Sequence, residues 1–519
     1  MQRSTLLFFA MFVLVCGCES NSNESPETTD EETGETTGEE TGETTTEETG
    51  EETAGEETGE ETAGEETGEG TGEETGEGTG EETEGESGIP ADAIHVDAKA
   101  EAGGTGAADA PYSDLQLAID EAPDGATLYL HKGTYIATPQ PYADPGCGNC
   151  DDNSFYFGAE ATRGFLVQGK SLHLLGAGHE KSVLVTKAGY GLLFDEAGTS
   201  SVRHLRVTGG LRDADGNATD AGIVVRHTTL TVEHSAIVFN NHLYTGPLPD
   251  PVVGIGGIFG REGSDLTIRD SIIEDNSWDG ITLYRGEPGL PDTAPTAFIE
   301  GCLIGCTTDC GVKGGRGAGI GVTWDAQLMA IGNTIHHYWK GIGTFGDSSA
   351  VLSNNVVRDQ VGWGVIASGS STMHAINNVI VRNGTTGLAA WNAGVSGSFI
   401  NNIIFDNGWS EDEWVGKKTG LWFNAWQGTF ILAHNLVFGN ADFDACIGGL
   451  PNEEPCLAME MLPADGHVTE DPLFAGPNDF HLLPGSPAID AGDPELSDLD
   501  GTPSDMGVFG GANAPDEMP

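Results

Sequence analysis

The chain has 519 residues and a formal net charge of −61, from 82 Asp and Glu against 21 Lys and Arg. That balance excludes nucleic acid as a partner, because a phosphate backbone is bound through a basic face, and it disfavours anionic membrane surfaces for the same reason. No apolar run reaches the roughly 20 residues that a bilayer crossing needs, and this length points to two to four domains unless a repeat makes one long one.

Residues 1–18 read as an export signal. Arg3 precedes the apolar run Leu6–Val15, which is too short to span a membrane as a mature helix. The run ends in Val15-Cys16-Gly17-Cys18, which resembles the bacterial lipobox. The resemblance implies that Cys18 is lipidated and becomes the first residue of an exported protein anchored at the outer membrane or cell surface. Residues 19–90 repeat the unit Thr-Gly-Glu-Glu and contain 28 acidic residues and no Lys or Arg. Such a segment cannot bury enough surface to offset chain entropy and is expected to be a disordered linker. Self-repulsion would extend it past the roughly 45–50 Å of a neutral coil. With it and Arg3 set aside, residues 91–519 hold 54 acidic and 20 basic side chains. A polyanionic ligand is disfavoured there unless cations bridge the contact.

Residues 91–164 read as an N-terminal cap and first rung. Ser113-Asp114-Leu115-Gln116 has the form of a capping box, and Leu115, Ile119 and Ala122 follow at helical spacing. A strand over 127–130 and Gly133-Thr134-Tyr135 come next. From residue 220 one pattern recurs: Gly222, Gly257, Gly280, Gly319, Gly341, Gly364, Gly387 and Gly420 each open a short apolar strand, at spacings of 35, 23, 39, 22, 23, 23 and 33. Asn354-Asn355, Asn377-Asn378 and Asn401-Asn402 run in phase, and Asn333 and Asn435 take the same place in neighbouring units. A period near 22 with apolar strands and Gly and Asn turns predicts an all-β solenoid of parallel strands. Asn suits a fixed left-handed turn and can hydrogen-bond from rung to rung.

The pattern over 165–445 resembles the right-handed parallel β-helix repeats of the pectate-lyase-like superfamily. That resemblance implies the fold and leaves function open, because the superfamily includes lyases, hydrolases, adhesins and tailspikes. Residues 446–519, with Asp471-Pro472-Leu473-Phe474 and Ser486-Pro487-Ala488-Ile489-Asp490, resemble the C-terminal tail of secreted bacterial β-helix proteins and are expected to cap the far end.

Insertions at 242–255, 305–317 and 409–419 lengthen the turn before the Gly-led strand, and 285–296 lengthens the turn after it. Loops on both edges of one strand column would wall a groove, although insertions also collect at any tolerant turn. If the residue after Gly points inward, those two and four after it point outward. The outward positions hold Arg226, Arg261, Tyr284, Phe345, Trp391 and Trp422, with Trp278, Trp339 and Trp363 near one edge. Aromatic rings spaced by rungs can stack on sugars, and Arg can hydrogen-bond hydroxyls or a carboxylate. The alternative is that these rings fold over strand edges or under loops.

For catalysis the region offers Asp279, Arg285, Lys313, Arg316, Asp325, Lys340 and Asp347. Asp325 and Asp347, one rung apart, are the expected acid–base pair of a hydrolase; the alternative is a pair of solvated turn carboxylates. His336 and His337 adjoin on a strand and would point to opposite faces. Asp213, Asp215 and Asp220 share an Asp-x-Asp-Gly-x-x-x-Asp spacing with Asp498, Asp500 and Asp505, which could wrap calcium or form simple Asp-Gly turns. In an exported protein Cys446 with Cys456 and Cys147 with Cys150 are disulfide candidates, while Cys302, Cys306 and Cys310 leave one thiol over. These readings converge on a lipid-anchored surface protein that binds, and in one form cleaves, a polysaccharide as a lyase or glycoside hydrolase. The alternative is a non-catalytic adhesin or structural surface protein.

Overall fold

The computed structural model describes residues 88–146, 158–240, 254–290, 292–307, 317–411, 417–424, 430–448 and 456–519. The signal segment with Cys18, the linker up to residue 87, Cys147, Cys150, Cys310, Lys313 and Arg316 lie outside the described residues.

The described chain winds into stacked turns, each carrying up to three short strands. The first column holds the Gly-led strands, among them Gly256–Gly260, Ile281–Leu283, Ala318–Val322, Lys340–Thr344, Trp363–Ala367, Leu388–Ala390 and Thr419–Phe423. Strands such as Gln327–Ile331 and Ser349–Ser353 make the second column, and strands such as Thr334–His336 and Val356–Arg358 the third. Each pairs in parallel with its equivalents one turn away. In the first column Ile223, Ile258, Ile281, Ile320, Ile342, Val365, Leu388 and Leu421 are in register. All lie in the main core. Apolar side chains at one rung position thus become a continuous interior file, which is why a short period can build a core that no single turn could.

The repeated Gly has a steric cause. A Cβ on Gly341 would come 2.3 Å from Cγ1 of Val357 and 2.6 Å from the carbonyl oxygen of Gly364. The corner between third and first columns is too tight for any side chain there. Two amide ladders line the corners. Asn333, Asn355, Asn378 and Asn402 each donate Nδ2 to the next Oδ1, ending at Asn435, at 2.9–3.0 Å. Asn383, Asn407 and Asn440 repeat the arrangement at the other corner, at 2.9 Å. The first Asn of each pair does something else: Asn354, Asn377 and Asn401 take φ of 55–58° and stand outside the ladder.

At the N-terminal end, helix Leu115–Glu121 turns Leu115, Ala118 and Ile119 into the core. Its cap is Asp114, which accepts from Leu117 N, one residue later than the capping-box reading placed it. At the other end Val468 pairs with Leu436, and His467 Nδ1 accepts from Asn435 N, ending the ladder. The rest of the C-terminal region does not sit on the end. It runs back along the third column, where Phe480, Ala488, Met506 and Val508 pack on Val356, Val379, Ile403 and Leu436. Asn354 donates to the carbonyls of Val508 and Gly510, and Asn377 to that of Asp505.

Candidate functional site

The outer face of the first column has two covered ends and a dip between them. Because the Gly is crowded into the corner, the residue before it also faces outward: Ala221 lies in one outer apolar cluster and Trp363 in another. Bulk at Tyr190, Leu193, Val224, Phe259 and Tyr284 fills the N-terminal part. Trp363, Ile366, Ala389 and Trp422 fill the C-terminal part. Between them the in-register positions hold Thr282, Gly321 and Gly343, so the floor falls to backbone level.

The N-terminal part is closed by a hairpin. Strand Gln140–Asp144 pairs antiparallel with Ala159–Gln168, which then joins the first column through Arg163–Tyr190 pairing. The hairpin brings Asp144 onto Arg261. The Arg261 guanidinium gives Nη1 to Asp144 at 2.8 Å and to Thr219 at 2.7 Å, Nη2 to Gly146 O at 2.8 Å and Nε to Glu262 at 3.0 Å. Arg226 donates Nε to Glu262 at 2.5 Å and Nη1 to the Tyr142 hydroxyl at 2.5 Å. Both arginines are buried, Arg261 completely. Their place as ligand-facing residues is therefore corrected: both guanidiniums are buried against protein carboxylates. Burial pushes the Asp144 carboxyl up, but Arg261 and Arg226 more than offset this and hold it below the usual range. Tyr284 is also covered, edge-on to Phe259 with ring centroids 5.3 Å apart.

The dip contains one buried acid. Asp279, 8% exposed, accepts from the Thr282 hydroxyl and from Ala318 N, both at 2.6 Å. Burial raises its carboxyl to about 6, against the pull of those donors and of Lys340. Asp325 and Asp347, the sequence choice for acid and base, instead sit exposed at turns between the first and second columns. Asp325 accepts from Gly286 N at 2.9 Å and so holds the loop after Ile281–Leu283. No hydrogen bond joins it to Asp347 among the described residues, and the solvated-turn reading fits both. Beside them the Arg285 guanidinium lies 4.3 Å from the Trp324 ring, and Trp324 meets the half-exposed Phe345 edge-on at 5.7 Å.

The C-terminal part is aromatic. Trp391 contacts Trp363 and Trp422 edge-on, both at 5.3 Å, and Trp363 lies 5.8 Å from Trp422. Trp422 is fully buried and donates Nε1 to Gly448 O, so it supports the surface and does not form it. Trp391 and Trp339 are part-exposed. Under this cluster Cys446 and Cys456 form the expected disulfide. Cys306 is disulfide-bonded and Cys302 is the buried free thiol.

Neither acidic segment is arranged around a cation. Asp213 accepts from Thr162 N and Oγ1, both at 2.7 Å, and Asp215 from Glu160 N at 2.8 Å. Asp220 is ion-paired with Arg212. Asp498 accepts from Asp505 N and Gly511 N, Asp500 from Thr502 N and Oγ1, and Asp505 from Asp490 N. Among the described residues no group of three His, Cys, Asp or Glu side chains is placed to hold a metal ion. The two histidines meet, contrary to the alternation argument: His336 and His337 approach Nδ1 to Nδ1 at 2.8 Å. His337 has φ 59°, which breaks the alternation of strand faces.

Residues 256–437 match the family described as "Right handed beta helix region". This stretch is a right-handed β-helix. The β-helix chain is similar to a solved pectate lyase, with 14% identity over 81% of this chain and 97% of that one and a TM-score of 0.43. It is also similar to a mannuronan C-5 epimerase A-module of Azotobacter vinelandii, with 17% identity over 64% of this chain and 83% of that one and a TM-score of 0.33. A rhamnogalacturonan lyase aligns at 10% identity over 66% of this chain and 87% of that one, with a TM-score of 0.34. No curated relative matched in sequence. Within the β-helix, sequence reasoning passed over Trp324 and placed Trp363, just before its Gly, only near an edge. The recurrent Gly itself was the available signal, since a crowded corner shifts the alternation by one.

Proposed function

We propose that this β-helix binds a polysaccharide laid along the outer face of its first column. The observation that carries the reading is the shape of that face: a floor of Thr282, Gly321 and Gly343 with part-exposed rings at both edges, Trp324, Phe345 and Trp391 after the strands and Trp339 before them. Rungs about 4.8 Å apart present contacts at a repeat suited to a linear polymer of sugars. Ring faces in water stack on the apolar faces of pyranoses.

A second reading, cleavage of the bound chain, is favoured by Asp279, a buried carboxyl held near 6 in the floor, where it accepts from Thr282 Oγ1 and Ala318 N. A group of that kind can hold a proton for a leaving oxygen at mildly acid pH. Anchoring through Cys18 completes the proposal; it rests on the signal-like segment and acidic linker, and fatty-acid labelling lost on Cys18→Ala would check it. Retention of the full chain on immobilised glycans tests binding. Phe345→Ala is expected to weaken retention without unfolding the protein, because that ring is 49% exposed. Unchanged retention removes this face. Released reducing ends or unsaturated uronates, lost in Asp279→Asn while binding persists, support cleavage.

A further inference from the structure

The C-terminal end of the face is a different chemical surface from the rest. Trp363 and Trp422 form a buried base on which Trp391 stands edge-on at 5.3 Å from each. Uncharged polar side chains stand beside it. Ser368 donates to Thr344 O at 2.6 Å, and Asn392 accepts from Gly369 N at 2.7 Å, which leaves its NH2 group as a donor.

Among the described residues, several cations on the first-column face are engaged with protein groups. Arg226 and Arg261 are buried against Glu262 and Asp144. Arg285 lies against Trp324. Lys418, near the aromatic end, pairs with Glu411 at 3.5 Å. Residues 91–519 meanwhile hold 54 acidic against 20 basic side chains. A polyuronate brings one negative charge per sugar into that field and is repelled by the excess of like charge. An uncharged sugar needs only a ring to stack on and hydroxyl partners at the rim.

We propose that the aromatic end takes uncharged pyranose units, so that the ligand is a neutral polysaccharide and not a polyuronate. This rests on the glycan-binding reading above. The test titrates the full chain with neutral oligosaccharides (gluco-, xylo-, manno- and galacto-oligomers) and with oligogalacturonate and oligomannuronate. Each is added with calcium and with chelator, and intrinsic Trp fluorescence is followed. The expected result is a fluorescence change with at least one neutral series, nearly unaffected between about 0.05 and about 0.5 M salt. Trp391→Ala should weaken it about tenfold and Trp391→Phe by much less. Because Trp391→Ala could disturb the cluster, its near-ultraviolet circular dichroism is compared with that of the Phe variant, and the charge preference of the unmodified chain stands without either. Tighter binding of an oligouronate than of every neutral series overturns the proposal while leaving the glycan reading intact. Binding of neither class overturns both.

Discussion

Arg261 shows how one side chain can carry a whole piece of architecture. It is completely buried and bridges the hairpin at Asp144 and Gly146, the loop residue Thr219 and its neighbour Glu262. Removing one partner of a buried charge pair leaves the other without compensation, which costs about 3–5 kcal/mol. Arg261→Met is therefore expected to destabilise the fold by about that amount, read as a shift of the urea midpoint; a shift under about 1 kcal/mol would show the network to be dispensable. The same residue marks where sequence reasoning stopped. Its outward direction followed from strand alternation, but its partner Asp144 lies 117 residues earlier. That hairpin is not part of the repeat, so no periodicity announced that the position would be covered. Phe345, with no such hairpin over it, stayed exposed.

The loop ending at Asp220 works on a larger scale, as a substitute strand. Alternate amides of a strand point to the same side; here Glu160 N and Thr162 N face away from Gln140–Asp144 and meet the carboxylates of Asp215 and Asp213 instead of another backbone. The arrangement blunts an exposed edge without adding a strand. It depends on a proton. Asp220 accepts from Asp213 N at 2.8 Å, and both carboxyls are raised. For Asp220 burial is the main cause, opposed by Arg212 and reinforced by Asp213, and the result is about 7 against an ordinary 3.8. A carboxyl with a raised folded-state value favours folding fully below its unfolded value, and that contribution disappears as pH climbs through the folded one. Docking of the loop should thus weaken as pH rises from about 4 through about 7. Hydrogen exchange at Glu160 and Thr162, corrected for intrinsic rates, should accelerate over that window, and Asp220→Asn should flatten the dependence. A flat profile in the unmodified chain would contradict a protonated Asp220. The repeated Asp-x-Asp-Gly spacing suggested calcium because it records only which carboxylates are close in sequence; it is silent about which backbone amides will face them.

Across the whole molecule the winding was legible and its dressing was not. The Gly-led strands and the Asn pairs report contacts that recur every turn: the crowded corner at Gly341 and the ladder through Asn355 and Asn378. Contacts made once, such as the tail on Asn354 and Asn377, leave no period to detect. That tail covers Val356, Val379, Ile403 and Leu436 on the third column. A chain ending after Glu470 would leave these side chains in a contiguous apolar strip, and such strips drive association. It is expected to bind a hydrophobic dye and to self-associate in ultracentrifugation, whereas a dye-silent monomer would show the strip to be tolerated.

A stack of turns in which each touches only its neighbours can come apart one unit at a time. Here the segment near residues 505–510 fastens to positions on separate turns, at Asn354 and Asn377. Tension applied at the C-terminus would meet this strap before any rung and would peel it bond by bond along the flank. Tension applied at the N-terminal end would load the hairpin and coil directly, so the protein should resist pulling differently from its two ends.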